Sequence, residues 1–238
     1  MTTNAEAIAS WNRSSRAALE DTALDGDFAK RHLANPHLLR LAGPLPGRRV
    51  LDAGCGNGYL SRMLAERGAI VTGVEPAQVL FDFAVEKDRH GSTYIQADLC
   101  APPDLGAPFD VVICSMVLVA IPDWRAAMRT CVDVLRPGGT LVVAVPHPCF
   151  EDLWHTWRTY GFYRTSEYLA ERTMPGPVAP DFHRPLSAYL NEMARLGCAL
   201  TEMVEPGLDP ALVPTGPASI EAYAHLPNFV IMAARKAA

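Results

Sequence analysis

The chain has 238 residues, of which 49% are hydrophobic and 20% charged, a balance suited to one α/β domain that buries its own core. The formal net charge of −5 leaves no basic field to hold a phosphate backbone by counterion release, so nucleic acid is disfavoured as a partner. The longest apolar run, Val111 to Ile121, is broken by Ser115 and falls short of the roughly 18 residues of a membrane span.

Glu6, Arg13, Arg16, Glu20 and Asp21 interrupt the N-terminal stretch, which therefore lacks the apolar centre of a secretory signal, and a cytoplasmic address is expected. Cys55, Cys100, Cys114, Cys131, Cys149 and Cys198 are scattered singly with no C-x-x-C pair, as reduced core thiols are.

In chain order, the helical spacing of Ala7, Ile8, Trp11, Ala18 and Leu19 predicts a helix over Asn4 to Glu20, and a looser repeat predicts a second over Phe28 to Leu41. Together they form an N-terminal helical cap, residues 1–42. After the turn Gly43-Pro44-Leu45-Pro46-Gly47, Arg49 to Ala53 reads as a buried strand that ends in a glycine-rich loop. Helix then alternates with strand: a helix at Tyr59 to Arg67, a strand at Ile70 to Val74, and a helix after Pro76. A short strand at Thr93 to Ala97, a proline-rich loop at Ala101 to Pro108 and an apolar strand at Phe109 to Cys114 follow. A helix from Asp123 to Leu135 stops at Arg136-Pro137-Gly138-Gly139 before the β-branched strand Thr140 to Val145. Such alternation implies a doubly wound, parallel sheet.

Residues 147–185 break the rhythm. Phe150, Trp154, Trp157, Tyr160, Phe162, Tyr163 and Tyr168 crowd a segment without clean periodicity, which reads as a lid over a substrate and not as a second domain. Beyond it, Leu186 to Leu196 is helical, and Ala199 to Val204 and Asn228 to Ala234 are strands.

Val50-Leu51-Asp52-Ala53-Gly54-Cys55-Gly56-Asn57-Gly58 carries a strand into a D-x-G-x-G-x-G loop, with Glu75 at the end of the next strand. Glycines let a backbone approach a ligand closely, and a carboxylate on the second strand can accept from both hydroxyls of a ribose. A dinucleotide fingerprint G-x-G-x-x-G fails in either register, because its third glycine would fall on Tyr59 or Ser61. Asp52 ahead of the glycines suits a cationic amine and would repel a pyrophosphate.

With Gln96-Ala97-Asp98-Leu99 after the third strand, Phe109 to Ser115 as the fourth and Leu135 to Leu141 as the turn into the fifth, the chain resembles the class I S-adenosylmethionine-dependent methyltransferase family. The likeness is strong from Arg48 to Gly139 and looser to the C-terminus. It implies a mainly parallel seven-stranded sheet with Asn228 to Ala234 antiparallel, in one domain over 1–238. It further implies that S-adenosylmethionine contacts Asp52, Gly54, Cys55, Gly56, Asn57 and Gly58. Glu75 and Pro76 would lie on the ribose side, Asp98 and Leu99 on the adenine side, and Ser115 and Met116 by the methionine part. Trp11 would close over the cofactor, and S-adenosylhomocysteine would be the product.

His147, just after the fifth strand, stands where ligands of open α/β sheets bind and is the candidate general base. It favours oxygen as the methyl-accepting atom of a small, flat or apolar molecule. Nitrogen or carbon acceptors on the same scaffold, or a cofactor-binding protein without transfer, are the alternatives. Cys114-Ser115-Met116-Val117 stands in place of an N-P-P-Y or D-P-P-Y run, which argues against methylation of nucleic-acid bases. His147, Cys149 and His155 fit no zinc-ligand spacing, and no metal is expected. Asp110, at a strand start, is expected to bond backbone amides and to stand outside the site.

Overall fold

The computed structural model describes the chain except for Met1, Pro102, Pro103, Ala107, Asp152, Pro177 and Ser219. Part of the proline-rich loop anticipated at Ala101 to Pro108 therefore lies outside the described residues. The single N-terminal helix expected to Glu20 is two: α1 (Asn4–Trp11) and α2 (Arg16–Asp21). Each has its own start signal. The Thr3 hydroxyl accepts from the Glu6 amide while the Glu6 carboxylate accepts from Thr3 N–H at 2.7 Å, a reciprocal cap; Ser15 caps α2 through the Ala18 amide. A wide helical turn at Lys30–Ala34 runs directly into α3 (Asn35–Ala42).

The core follows as β1 (Arg49–Ala53), α4 (Tyr59–Ala65), β2 (Ile70–Val74), α5 (Gln78–Lys87), β3 (Thr93–Ile95), β4 (Phe109–Ser115), α6 (Trp124–Asp133) and β5 (Leu135–Pro146). Then come α7 (Leu153–Tyr160), β6 (Arg172–Met174), β7 (Asp181–His183), α8 (Leu186–Arg195), β8 (Cys198–Val204) and β9 (Phe229–Lys236). The main sheet has seven strands in the order β3-β2-β1-β4-β5-β9-β8. Pairing from β3 to β5 is parallel, and β9 runs antiparallel to both β5 and β8. This is the mainly parallel α/β sheet with one reversed strand that the sequence implies.

Strand alternation divides the core between two faces. Leu51, Val112, Cys114, Leu141 and Val143 face one way, against Trp124, Met128 and Cys131 of α6 and Tyr189 and Met193 of α8. Val50, Val111, Ile113 and Val142 face the other, against Leu38 and Ala42 of α3 and Leu60 and Leu64 of α4. Each fully buried side chain of this size contributes about 1.5 to 3 kcal/mol. On α6 the buried residues Trp124, Ala127, Met128 and Cys131 recur at helical spacing.

Residues 147–185 are more regular than their sequence suggests, folding as α7 and an antiparallel β6–β7 pair. Asp110 does what its position predicts. It accepts from the Arg49 amide at 2.9 Å and from Arg136 Nε at 2.6 Å, tying β4 to the chain beside it. Among the described residues no helix is long and apolar enough to cross a membrane, and no group of three or more His, Cys, Asp or Glu side chains could hold a metal ion.

Candidate functional site

At the C-terminal ends of β1, β2 and β4 lies a cavity of about 240 Å³. Of the residues singled out from sequence, Trp11, Asp52, Gly54, Cys55, Gly56, Asn57, Glu75, Pro76, Asp98, Leu99, Ser115 and Met116 all line it. Gly58 does not. A Cβ there would meet Ala84 at 2.9 Å and the Tyr94 hydroxyl at 3.1 Å, so this glycine serves close packing at the start of α4. Gly54 is also required by packing, since a Cβ would stand 2.1 Å from the Val117 side chain. Gly56 alone of the three, at φ 56°, would point a Cβ into open space and so leaves its backbone bare to the cavity.

Two carboxylates form the floor. Glu75, 6% exposed, accepts from the Gly56 amide at 3.0 Å and the Ala77 amide at 2.9 Å, one on each oxygen. Asp52, 1% exposed, accepts from the Ser61 hydroxyl at 2.6 Å. Burial pushes Glu75 up to about 7 and Asp52 up to about 6, against these hydrogen bonds, which pull the other way. Arg62 is the weakest of the influences on Asp52. Both acids are thus held in a low-dielectric place with hydrogen-bond donors, and among the described residues neither makes a salt bridge.

The remaining walls come from several elements. Asp98 accepts from the Cys100 amide at 2.9 Å and from the Asn4 side chain of α1. Asn57 accepts from the Tyr59 amide and donates to Leu19 O at 3.2 Å and Thr22 Oγ1 at 3.0 Å, fastening α2 to the glycine loop. Met116 has φ 58°, a left-handed backbone that costs a residue with a side chain about 1 to 2 kcal/mol. It ends β4 abruptly and turns Val117 onto Gly54.

Sequence reasoning missed Asn4, Thr22, Lys30, Tyr59 and Val117, which also line the cavity. Only Tyr59 carried a signal, as the first helical residue after the glycine loop. Lys30 brings a cation whose nearest carboxylate is Asp27 at 3.7 Å.

His147 is not brought to this cavity. It is 2% exposed, with Nδ1 accepting from the Cys149 amide at 3.2 Å and Nε2 2.6 Å from Glu205 Oε1. An accepting Nδ1 fixes the neutral ring with its proton on Nε2, donated to Glu205, and leaves no lone pair for a substrate proton. None of the described residues of 147–185 lines the cavity either. Their aromatic rings pack on one another and on the C-terminal segment: Trp157 stacks on His225 at 5.5 Å and Phe150 meets Tyr163 edge-on at 5.3 Å. His183, 1% exposed, is held between Glu151 at 2.5 Å and the Tyr168 carbonyl at 2.7 Å. The segment touches the cavity's edge through Arg184, which donates to Leu118 O at 2.6 Å and Ile121 O at 2.7 Å.

A parallel sheet with a glycine loop after its first strand and an acid ending its second defines a nucleotide-cofactor-binding α/β domain. Residues 51–143 match the family described as a methyltransferase domain. A ubiquinone biosynthesis O-methyltransferase of Xanthomonas campestris pv. campestris is 36% identical over 137 residues, 54% of this chain and 57% of that protein. Its counterpart from Coxiella burnetii is 33% identical over 137 residues, 55% of this chain and 58% of that one. The matches thus span little more than half the length of these curated relatives. An S-adenosylmethionine-dependent methyltransferase from Mesorhizobium loti, known from its crystal structure, is 27% identical with a TM-score of 0.72, covering 84% of this chain and 96% of that one. The chain is thus similar to methyltransferases in sequence over residues 51–143, and to an S-adenosylmethionine-dependent methyltransferase in fold over most of its length.

Proposed function

We propose that this protein transfers a methyl group from S-adenosylmethionine to an oxygen of a small organic acceptor. The observation that carries the reading is the pair of buried carboxylates, Glu75 and Asp52, facing the cavity with no salt bridge among the described residues. A ligand bringing a ribose diol and an ammonium group supplies the donors that this floor lacks. Each oxygen of Glu75 keeps a lone pair after its backbone bond, so the two can accept from the two hydroxyls. Asp52 draws the ammonium, Lys30 balances a ligand carboxylate, and Asp98 accepts from an exocyclic amine. Leu99 and Ile8 cover flat apolar surface, and Gly56 gives the room for contact.

When bound, the cofactor supplies a methyl group already activated on a sulfonium. What remains for the chain is to orient and to exclude water, and orientation alone can supply about 7 to 11 kcal/mol. The apolar walls formed by Trp11, Val117 and Ile121 keep competing water out. Oxygen as the accepting atom is supported by the names of the curated relatives, and no longer by His147. The cap over 1–42, the sheet and the insertion over 147–185 act as one domain, with the insertion approaching the acceptor side through Arg184.

The test is turnover with methyl-labelled S-adenosylmethionine against phenols, carboxylic acids, amines and activated carbon acids. Label in an oxygen acceptor with equimolar S-adenosylhomocysteine is the expected result. Label in nitrogen or carbon acceptors alone would overturn the oxygen assignment, and tight binding without transfer to any acceptor would leave a binding protein.

A further inference from the structure

We propose that Asn4 locks α1 over the bound cofactor by donating to Asp98, so that one carboxylate serves both adenine recognition and closure of the site. The inference rests on the reading of the cavity given above. The Asn4 side-chain amide reaches Asp98 Oδ2 across 94 positions of sequence. A carboxylate only accepts, so the amide nitrogen faces it and the assignment of the Asn4 side chain is fixed. Asp98 Oδ1 is held by the Cys100 amide at 2.9 Å. With two acceptor sites on each oxygen, the carboxylate is oriented by these two bonds and can still take a ligand amine.

The other end of α1 is anchored separately. Asn12, just past the helix, accepts from the Val79 amide at 3.2 Å in the first turn of α5, and Trp11 packs against Leu19, Ala77, Leu80 and Phe83. Between the anchors Asn4, Ala7, Ile8 and Trp11 form one wall of the cavity, at the spacing that puts them on one helical face. Glu6, Ala9 and Arg13 look outward.

Eight residues are too few to hold a helix in water unaided, so tertiary anchors set the position of α1. Its C-terminal end has an apolar anchor and a hydrogen bond. Its N-terminal end is tied to the strand side by the Asn4–Asp98 bond. A ligand leaving the cavity past α1 must break that bond, whereas a ligand arriving supplies the amine that holds Asp98 in place for it.

The experiment compares release of S-adenosylhomocysteine by stopped flow with amide hydrogen exchange over residues 4–11 in the ligand-free protein. Asn4→Ala should release the product about tenfold faster or more, and exchange faster over 4–11 with β1 to β5 unchanged. Asn4→Asp, which sets a second carboxylate against Asp98 in place of a donor, should release it faster than the wild type at the same pH. Wild-type release and wild-type exchange in Asn4→Ala would overturn the lock while leaving the cofactor reading intact. A wild-type protein that binds no S-adenosylhomocysteine would overturn both, the exchange data then reporting only on the Asn4 contact.

Discussion

Two groups of buried polar side chains lie beyond the C-terminal ends of the strands, and they are satisfied in opposite ways. The two buried histidines of the insertion each have a carboxylate partner: His147 pairs with Glu205 from outside the segment, and His183 with Glu151, which Arg172 also approaches at 3.6 Å. At the ends of β1 and β2, the donors to Asp52 and Glu75 among the described residues are neutral, and burial lifts both carboxyls well above their usual range. A polar group that is already paired gains little from a ligand. One that is buried with capacity to spare gains a great deal, and the protein carries its cost until the ligand arrives. The difference separates binding machinery from internal structure better than residue type does, since a histidine is the more conventional catalytic side chain.

The largest effect is expected at Gly56, where Gly56→Val should abolish S-adenosylmethionine binding with little change in the far-ultraviolet circular dichroism. The new side chain enters open cavity, and the left-handed backbone adds about 1 to 2 kcal/mol of strain. A folded variant that binds normally would remove the loop from the site. Next in size is Glu75→Ala, expected to weaken cofactor binding by about 2 to 4 kcal/mol in calorimetry through lost charge-assisted bonds. The Gly56 and Ala77 amides also lose their acceptor, so Glu75→Gln, which can serve one of them, should fall between the variant and the wild type.

Asp52 sharpens the contrast through pH. Its carboxyl is raised from 3.8 to about 6 in the fold, so ionising it as pH rises through that interval disfavours the folded state, by about 3 kcal/mol once pH is above 6. Asp52→Asn should therefore stabilise the ligand-free protein at pH 8 by up to about that amount, and hardly at all near pH 4. Thermal melts at the two pH values measure this. Cofactor affinity of the wild type should rise from pH 5 to pH 8 as Asp52 and Glu75 shed their protons, because both are proposed to act as anionic acceptors. An equal melting shift at both pH values would contradict the burial of an uncompensated charge.

The floor of the cavity was legible in the sequence because its determinants are local: Asp52 to Gly58 are contiguous, and Glu75 ends the next strand in a repeating order of elements. Even there the reason for a glycine was not, as Gly54 and Gly58 answer to Val117, Ala84 and Tyr94, side chains distant in sequence. Asn4 and Lys30 were invisible because nothing local marks which polar side chains of the helical cap will face the cavity. The split between α1 and α2 lay in Ser15, a start signal inside an otherwise continuous apolar repeat. The aromatic insertion misled for a related reason. Rings at irregular spacing mark burial, and the partner that buries them, Tyr223 or His225, follows almost seventy residues later.

The smallest effect on activity is expected at His147, and it decides which side of the comparison that residue belongs to. A base that takes a proton from the acceptor contributes about 10² to 10⁴ in rate, so its removal would lower kcat by that factor with cofactor affinity unchanged. The geometry argues for a different outcome. With Nδ1 accepting from Cys149, Nε2 on Glu205 and the ring 4.8 Å from Phe150, His147→Ala removes the acceptor of a part-buried amide and a ring from the start of the insertion. The stability loss should be about 1 to 3 kcal/mol, the range for leaving a buried donor unpaired. His147→Asn can offer an oxygen to the same amide and should recover part of that loss, which a catalytic imidazole would not allow for kcat. The measurement is a chemical-denaturation curve for each variant beside kcat with the true acceptor. A fall in kcat of a hundredfold or more in both, at unchanged stability, would return His147 to the chemistry and place the acceptor against the insertion.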